Sequence, residues 1–106
     1  MAKFMIKASY RGDGTKALLK EGGSGRRAAV QKSLSAVGGK VDAFYYAFGE
    51  ADVYAIIDVP DVITAAAVSL AVNATGRIEL STIPLLTPED IDAACKKSVK
   101  YRAPGT

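Results

Sequence analysis

Between residues 41 and 59, two runs of strand composition flank a short turn that carries Gly49. Side-chain character alternates along both runs with a period of two, the pattern of strands whose faces meet different surroundings. Read as a hairpin with the three-residue loop Gly49-Glu50-Ala51, the runs set Phe48 opposite Asp52, Tyr46 opposite Tyr54, Phe44 opposite Ile56 and Asp42 opposite Asp58. Those eight side chains share one face, aromatic at its centre and acidic at its ends. The other face carries Val41, Ala43, Tyr45, Ala47, Val53, Ala55, Ile57 and Val59 and is mostly small or aliphatic. A slip of one residue would change the cross-strand partners, and a bulge would break the alternation.

The same alternation marks residues 3 to 10 as a first strand, with Phe4, Ile6 and Ala8 on one side and Met5, Lys7 and Ser9 on the other. Glycines around Asp13 punctuate the chain, and Thr15 to Glu21 fits a short helical turn. Gly22-Gly23-Ser24-Gly25 interrupts it, and a helical period resumes at Arg26 with Arg27, Val30, Leu34 and Val37 on one stripe. Gly38-Gly39 ends that helix. A glycine loop ahead of Arg26 and Arg27 is able to hold an anion on backbone N–H groups. It does not match the P-loop pattern, so a plain connection is the expectation. Pro60 and Asp61 open a second helix, with Asp61 as its cap and Ile63, Ala67, Leu70 and Ala74 as its stripe. Arg77 to Leu85 reads as a fourth strand whose end, at Pro84, lies at a sheet edge or stops pairing. Thr87-Pro88-Glu89-Asp90 starts a last helix, with Ile91, Ala94, Cys95 and Val99 as its stripe and Lys96, Lys97 and Lys100 near its C-terminal end. Cys95 is then expected in a core or an interface rather than as a reactive thiol.

Strand, helix, strand, strand, helix, strand, helix is the order of an α+β, ferredoxin-like βαββαβ domain with an extra C-terminal helix. One domain over residues 1–106, with a four-stranded antiparallel sheet, is the expectation. Two crossover helices cover the aliphatic side of the sheet. The opposite side is left with Phe44, Tyr46, Phe48, Tyr54, Ile56 and Met5, a patch expected to pair with a second copy or to enclose a pocket. The C-terminal helix covering it within the same chain is the alternative.

Composition narrows the chemistry. At 49% hydrophobic and 24% charged residues the chain has the balance of a soluble globular protein. Its net charge of +3 comes from scattered lysines and arginines, without the concentrated basic face that nucleic-acid binding needs. The terminal cluster of Lys96, Lys97, Lys100 and Arg102 reads as a solvated helix end. No stretch is long and apolar enough to span a bilayer, and the N-terminus lacks a signal-peptide core, so a cytoplasmic protein is expected. A single cysteine allows no intrachain disulfide. The chain contains no histidine, which removes imidazole as base, metal ligand or haem ligand and excludes Ser-His-Asp and Cys-His catalysis within it. No metal and no cofactor are expected. Proton chemistry would fall to Asp, Glu, Tyr, Lys or water.

In the hairpin register above, Asp52 lies beside Phe48, with Tyr46 and Tyr54 one pair further in, and Lys7 approaches if the first strand neighbours the third. Together they compose an aromatic cleft with a carboxylate, two phenols and an amine, the wall chemistry of a small-organic-ligand pocket. Tyr46, Phe48, Asp52, Tyr54 and Lys7 are therefore the candidate ligand-binding residues, and Asp52 is the candidate catalytic base. The competing reading makes Asp52 a turn cap and the tyrosines a cross-strand packing pair.

The stretches Gly38-Gly39-Lys40-Val41, Phe44 to Tyr54, Asp58-Val59-Pro60-Asp61, Leu85 to Asp90 and Tyr101-Arg102 resemble the GYD family of small bacterial proteins. The resemblance spans nearly the whole chain. It implies a ferredoxin-like fold of the dimeric α/β-barrel type, in which two sheets face each other. Gly49 and Asp52 match the family's G-x-Y-D signature, but Ala51 stands where the signature has tyrosine. A shared role would then rest on Asp52 or the neighbouring aromatics. The reading is a homo-oligomeric small-molecule-binding protein, with itself and a small organic ligand as partners. The alternatives are a cofactor-independent monooxygenase or isomerase of the same architecture, and a structural or regulatory assembly protein.

Overall fold

Seven elements follow one another in the computed structural model, which describes residues 1–106. They are β1 (Ala2–Tyr10), α1 (Gly14–Ala36), β2 (Lys40–Tyr46), β3 (Val53–Val59), α2 (Val62–Asn73), β4 (Ile78–Pro84) and α3 (Pro88–Cys95). The strands form one sheet in the order β2-β3-β1-β4, every neighbouring pair antiparallel. This is the ferredoxin-like βαββαβ arrangement with a C-terminal helix added.

Local chemistry sets the boundaries. Asp61 caps α2 by accepting the Thr64 N–H at 2.7 Å, and that bond holds its carboxyl below the ordinary range. Thr87 and Asp90 form a reciprocal capping box at the start of α3, with Pro88 in the first turn. Asn73 ends α2 by pairing both ways with the Leu80 backbone, so the helix is tied directly to the edge strand β4. Within α1, Gly22 is non-helical at φ 78° and ψ 164°, a conformation open to glycine. The helix kinks there and resumes at once, rather than after the whole glycine run.

The core lies between the helices and one face of the sheet. Phe4, Ile57 and Val59 meet Leu34 of α1 and Ala65 of α2 in one buried cluster. Leu34 is 1% exposed. Removing such a side chain from water contributes about 1.5–3 kcal/mol before ordering costs. A second cluster, Ala8, Val53 and Ala55, is joined by Tyr10, Phe44, Tyr46, Ile78 and Leu80. The expected inward positions of β1 and β3 hold.

Those of β2 do not. Tyr46 pairs with Val53, Tyr45 with Tyr54 and Phe44 with Ala55, so the turn is the four-residue loop Phe48–Ala51 and the register is one residue off the expected one. Between Val41 and Ala43 a bulge restores the pattern toward the strand's start, leaving Val41 opposite Ile57. Phe44 and Tyr46 therefore point into the helix layer, and Ala43 and Tyr45 lie on the uncovered face.

Two helix stripes differ as well. Ala65, Val68 and Val72 face the sheet in α2, while Ile63 and Leu70 are exposed, because the small alanines let the helix seat on either side. The last helix ends at Cys95, so Val99 and the lysines lie beyond it, and none of its residues is buried. Cys95 is exposed rather than in the core. With none of its residues buried, α3 does not cover the far side of the sheet, which stays open.

Candidate functional site

On the open face, strand pairing arranges side chains in rows across the sheet. The central row runs Ala43, Ile56, Met5, Ile83, and the next runs Tyr45, Tyr54, Lys7, Ser81. The middle of the face is thus apolar and aromatic. Lys7 Nζ lies 6.0 Å from the Tyr54 ring centroid and donates to Glu50 Oε1 at 3.1 Å, which holds the ammonium above its ordinary range. Tyr45 at the β2 edge is 70% exposed.

Charges close both ends. At one, Lys3 Nζ donates to Asp42 at 2.5 Å and Asp58 at 2.8 Å, with Lys40 3.8 Å from Asp42. The bulge at Asp42 turns that carboxylate toward Lys3. Asp58 is 6% exposed, and its Oδ1 has no hydrogen-bond partner. A buried carboxylate oxygen without a donor is uncommon in a completed structure. The bond from Lys3 draws Asp58 below the ordinary carboxylate value of 3.8, and the bonds to Asp42 and Asp58 raise Lys3 above 10.5. The Asp58 contribution to stability is present above 3.8 and is lost as pH falls through the lower folded value. The Lys3 contribution is present below 10.5 and is lost as pH rises through the higher folded value. Urea unfolding of Lys3→Met across this range should show shallower losses than the wild type at both extremes. Parallel curves would show that the cluster is not coupled to folding.

At the other end, Asp52 Oδ2 accepts the Tyr10 N–H at 2.9 Å, while the Asp52 N–H donates to Ala8 O at 2.8 Å. Asp52 fastens the turn of the hairpin to β1, so its carboxylate is occupied by backbone. Nearby, Arg11 pairs with Glu79 at 3.2 Å.

Of the residues picked out by sequence, the structure brings Lys7 and Tyr54 together on the open face and puts Asp52 at its end. Phe48 is 79% exposed in the loop. Tyr46 lies on the helix side, donating to Gly23 O at 3.0 Å and meeting Phe44 edge to face at 5.5 Å. Burial and the neighbouring Tyr10 push its phenol up to about 12. Sequence reasoning passed over Tyr45 and the Lys3–Asp42–Asp58 group. Two acids at the open end of the hairpin, one on each strand, and a lysine on the neighbouring strand were the available signal for the group.

No three His, Cys, Asp or Glu side chains converge as metal ligands, and no helix is long and apolar enough to cross a membrane. The profile of the GYD domain matches residues 4–95. No curated protein and no solved structure gives a significant match.

Proposed function

We propose that this chain, which belongs to the GYD domain family, is a self-associating small-molecule-binding protein whose copies lay their open sheet faces together around a ligand. One observation carries the reading: the rows through Ile56 and Tyr54 are left without a covering layer, because α1 and α2 pack on the opposite side and α3 buries none of its residues. An apolar centre with a charged rim is the anatomy of a protein interface, and a two-fold pairing needs only one self-complementary patch. The ligand would lie against Tyr54, Met5 and Ile56, with Lys7 supplying the polar contact that orients it. The engaged carboxylate of Asp52 favours binding over general-base catalysis at this face.

Native mass spectrometry of protein purified without denaturation tests the reading. A dimer carrying a small organic adduct is the expected mass. A bare dimer would leave assembly without a ligand, and a monomer at micromolar concentration would contradict the proposal.

A further inference from the structure

On the opposite side of the sheet, α1 and α2 do not close over the whole surface they cover. Packing is tight where Phe4, Leu34 and Val59 meet. Further along, Ala8, Ala29 and Ala55 stand where larger side chains would reach across. The small residues leave a cleft of about 240 Å³, with 14 of its 16 lining residues hydrophobic. It is continuous with a wider groove between the helices, because Tyr10, Arg26, Ser33, Val68, Val72 and Ile78 line both.

We infer that this cleft is a binding site, separate from the open sheet face, for a small aromatic or alicyclic carboxylate. Size supports the class: an apolar cavity of about 150 Å³ admits benzene, so this one has room for a substituted or fused ring. Charge supports the carboxylate. Arg26 lines the cleft with its side chain 25% exposed, and its ion-pair partner Glu21 is 3.6 Å away, too far for a good hydrogen bond. Such a peripheral pair is weak, which leaves the guanidinium fork free to take a carboxylate in two parallel bonds. Tyr10 lines both the cleft and the groove beside it. The ring would lie among Ala55, Val72 and Leu80, and the acid group would face the groove.

The probe is 2-naphthoate, with neutral 2-naphthalenemethanol beside it, titrated against the full chain carrying labelled methyl groups. Saturable shifts are expected at Ala29, Val72 and Leu80 but not at Met5, Ile56 or Ile83, which report the open face. Arg26→Gln should weaken 2-naphthoate by about tenfold or more and leave the alcohol unchanged. Ala29→Leu, a good helix former that fills the cleft, should remove both. If that variant does not fold, the Arg26→Gln comparison decides alone. No saturable binding, shifts confined to the open face, or equal effects of Arg26→Gln on acid and alcohol would each overturn the assignment.

Discussion

On the proposed face-to-face pairing, Ile56→Asp is expected to convert dimer to monomer, raising the dissociation constant by roughly two to three orders of magnitude. Ile56 lies in the central row of the open face, between Ala43 and Met5. In a face-to-face pairing its side chain is removed from water, and a carboxylate there stands in an apolar row between Ala43 and Met5. An uncompensated buried charge costs about 3–5 kcal/mol, and each 1.4 kcal/mol is about a factor of ten. Folding of the single chain should change little, because the same side chain is only half-buried without a partner. Sedimentation equilibrium gives both association constants. Leu70→Asp is the control, placed on the exposed outer side of α2. Dissociation by Leu70→Asp instead of Ile56→Asp would move the interface to the helices.

Gly14→Ala should cost about 3 kcal/mol of stability, enough to lower the melting temperature by roughly 10–20 °C. A Cβ at Gly14 would stand 2.2 Å from the carbonyl oxygen of Arg77. That oxygen is not free to yield, since it accepts the Arg11 N–H at 2.7 Å where the entry to α1 crosses the start of β4. The contact is backbone against backbone, so no side-chain rotation relieves it. Gly25→Ala makes the contrast. The nearest atom to its added Cβ is 3.7 Å away, and the position is helical. Alanine there should gain about 0.5–1 kcal/mol. Thermal unfolding followed by circular dichroism separates the two, and equal shifts would contradict the packing described.

The strands differ in how well the sequence announces them. β1 and β3 alternate without interruption, so Phe4, Ile6 and Ala8, and Val53 to Val59, are assigned to the correct face by period alone. β2 has the same composition, but its facing depends on two things that composition does not carry. Gly49 falls within a three-residue or a four-residue loop equally well, and the extra residue at Asp42 leaves no mark of its own in the pattern. Because the side-chain period is two, the one added loop residue moves Phe44 and Tyr46 from one side of the sheet to the other, and the bulge at Asp42 returns Val41 to the helix side. The prediction of an uncovered face survives the error, since Met5, Tyr54 and Ile56 remain on it, but its aromatic character shrinks to Tyr45 and Tyr54.

Helix orientation was legible only where side-chain size decides. Leu34 is the large residue that fills the space over Phe4, and it and Val30 were readable as inward, whereas Arg27 and Val37 of the same expected stripe are exposed. In α2 the valines and the Ile63–Leu70 pair offer two apolar stripes, and the sequence has no means of ranking them. The cleft beside Arg26 was not legible at all. It depends on how far apart the two helices sit over Ala8 and Ala55, a distance that follows from packing in space rather than from any local pattern.

Whether the bare side of the sheet meets its own image can be read from distances between chains. In a sample mixing isotope-labelled and unlabelled protein, filtered nuclear Overhauser spectra report contacts between copies alone. Cross-peaks linking the methyl groups of Met5, Ile56 and Ile83 on one chain to the same group on the other are the predicted result. Cross-peaks confined to Ile63 and Leu70, or none at a concentration where the protein sediments as a dimer, would contradict it.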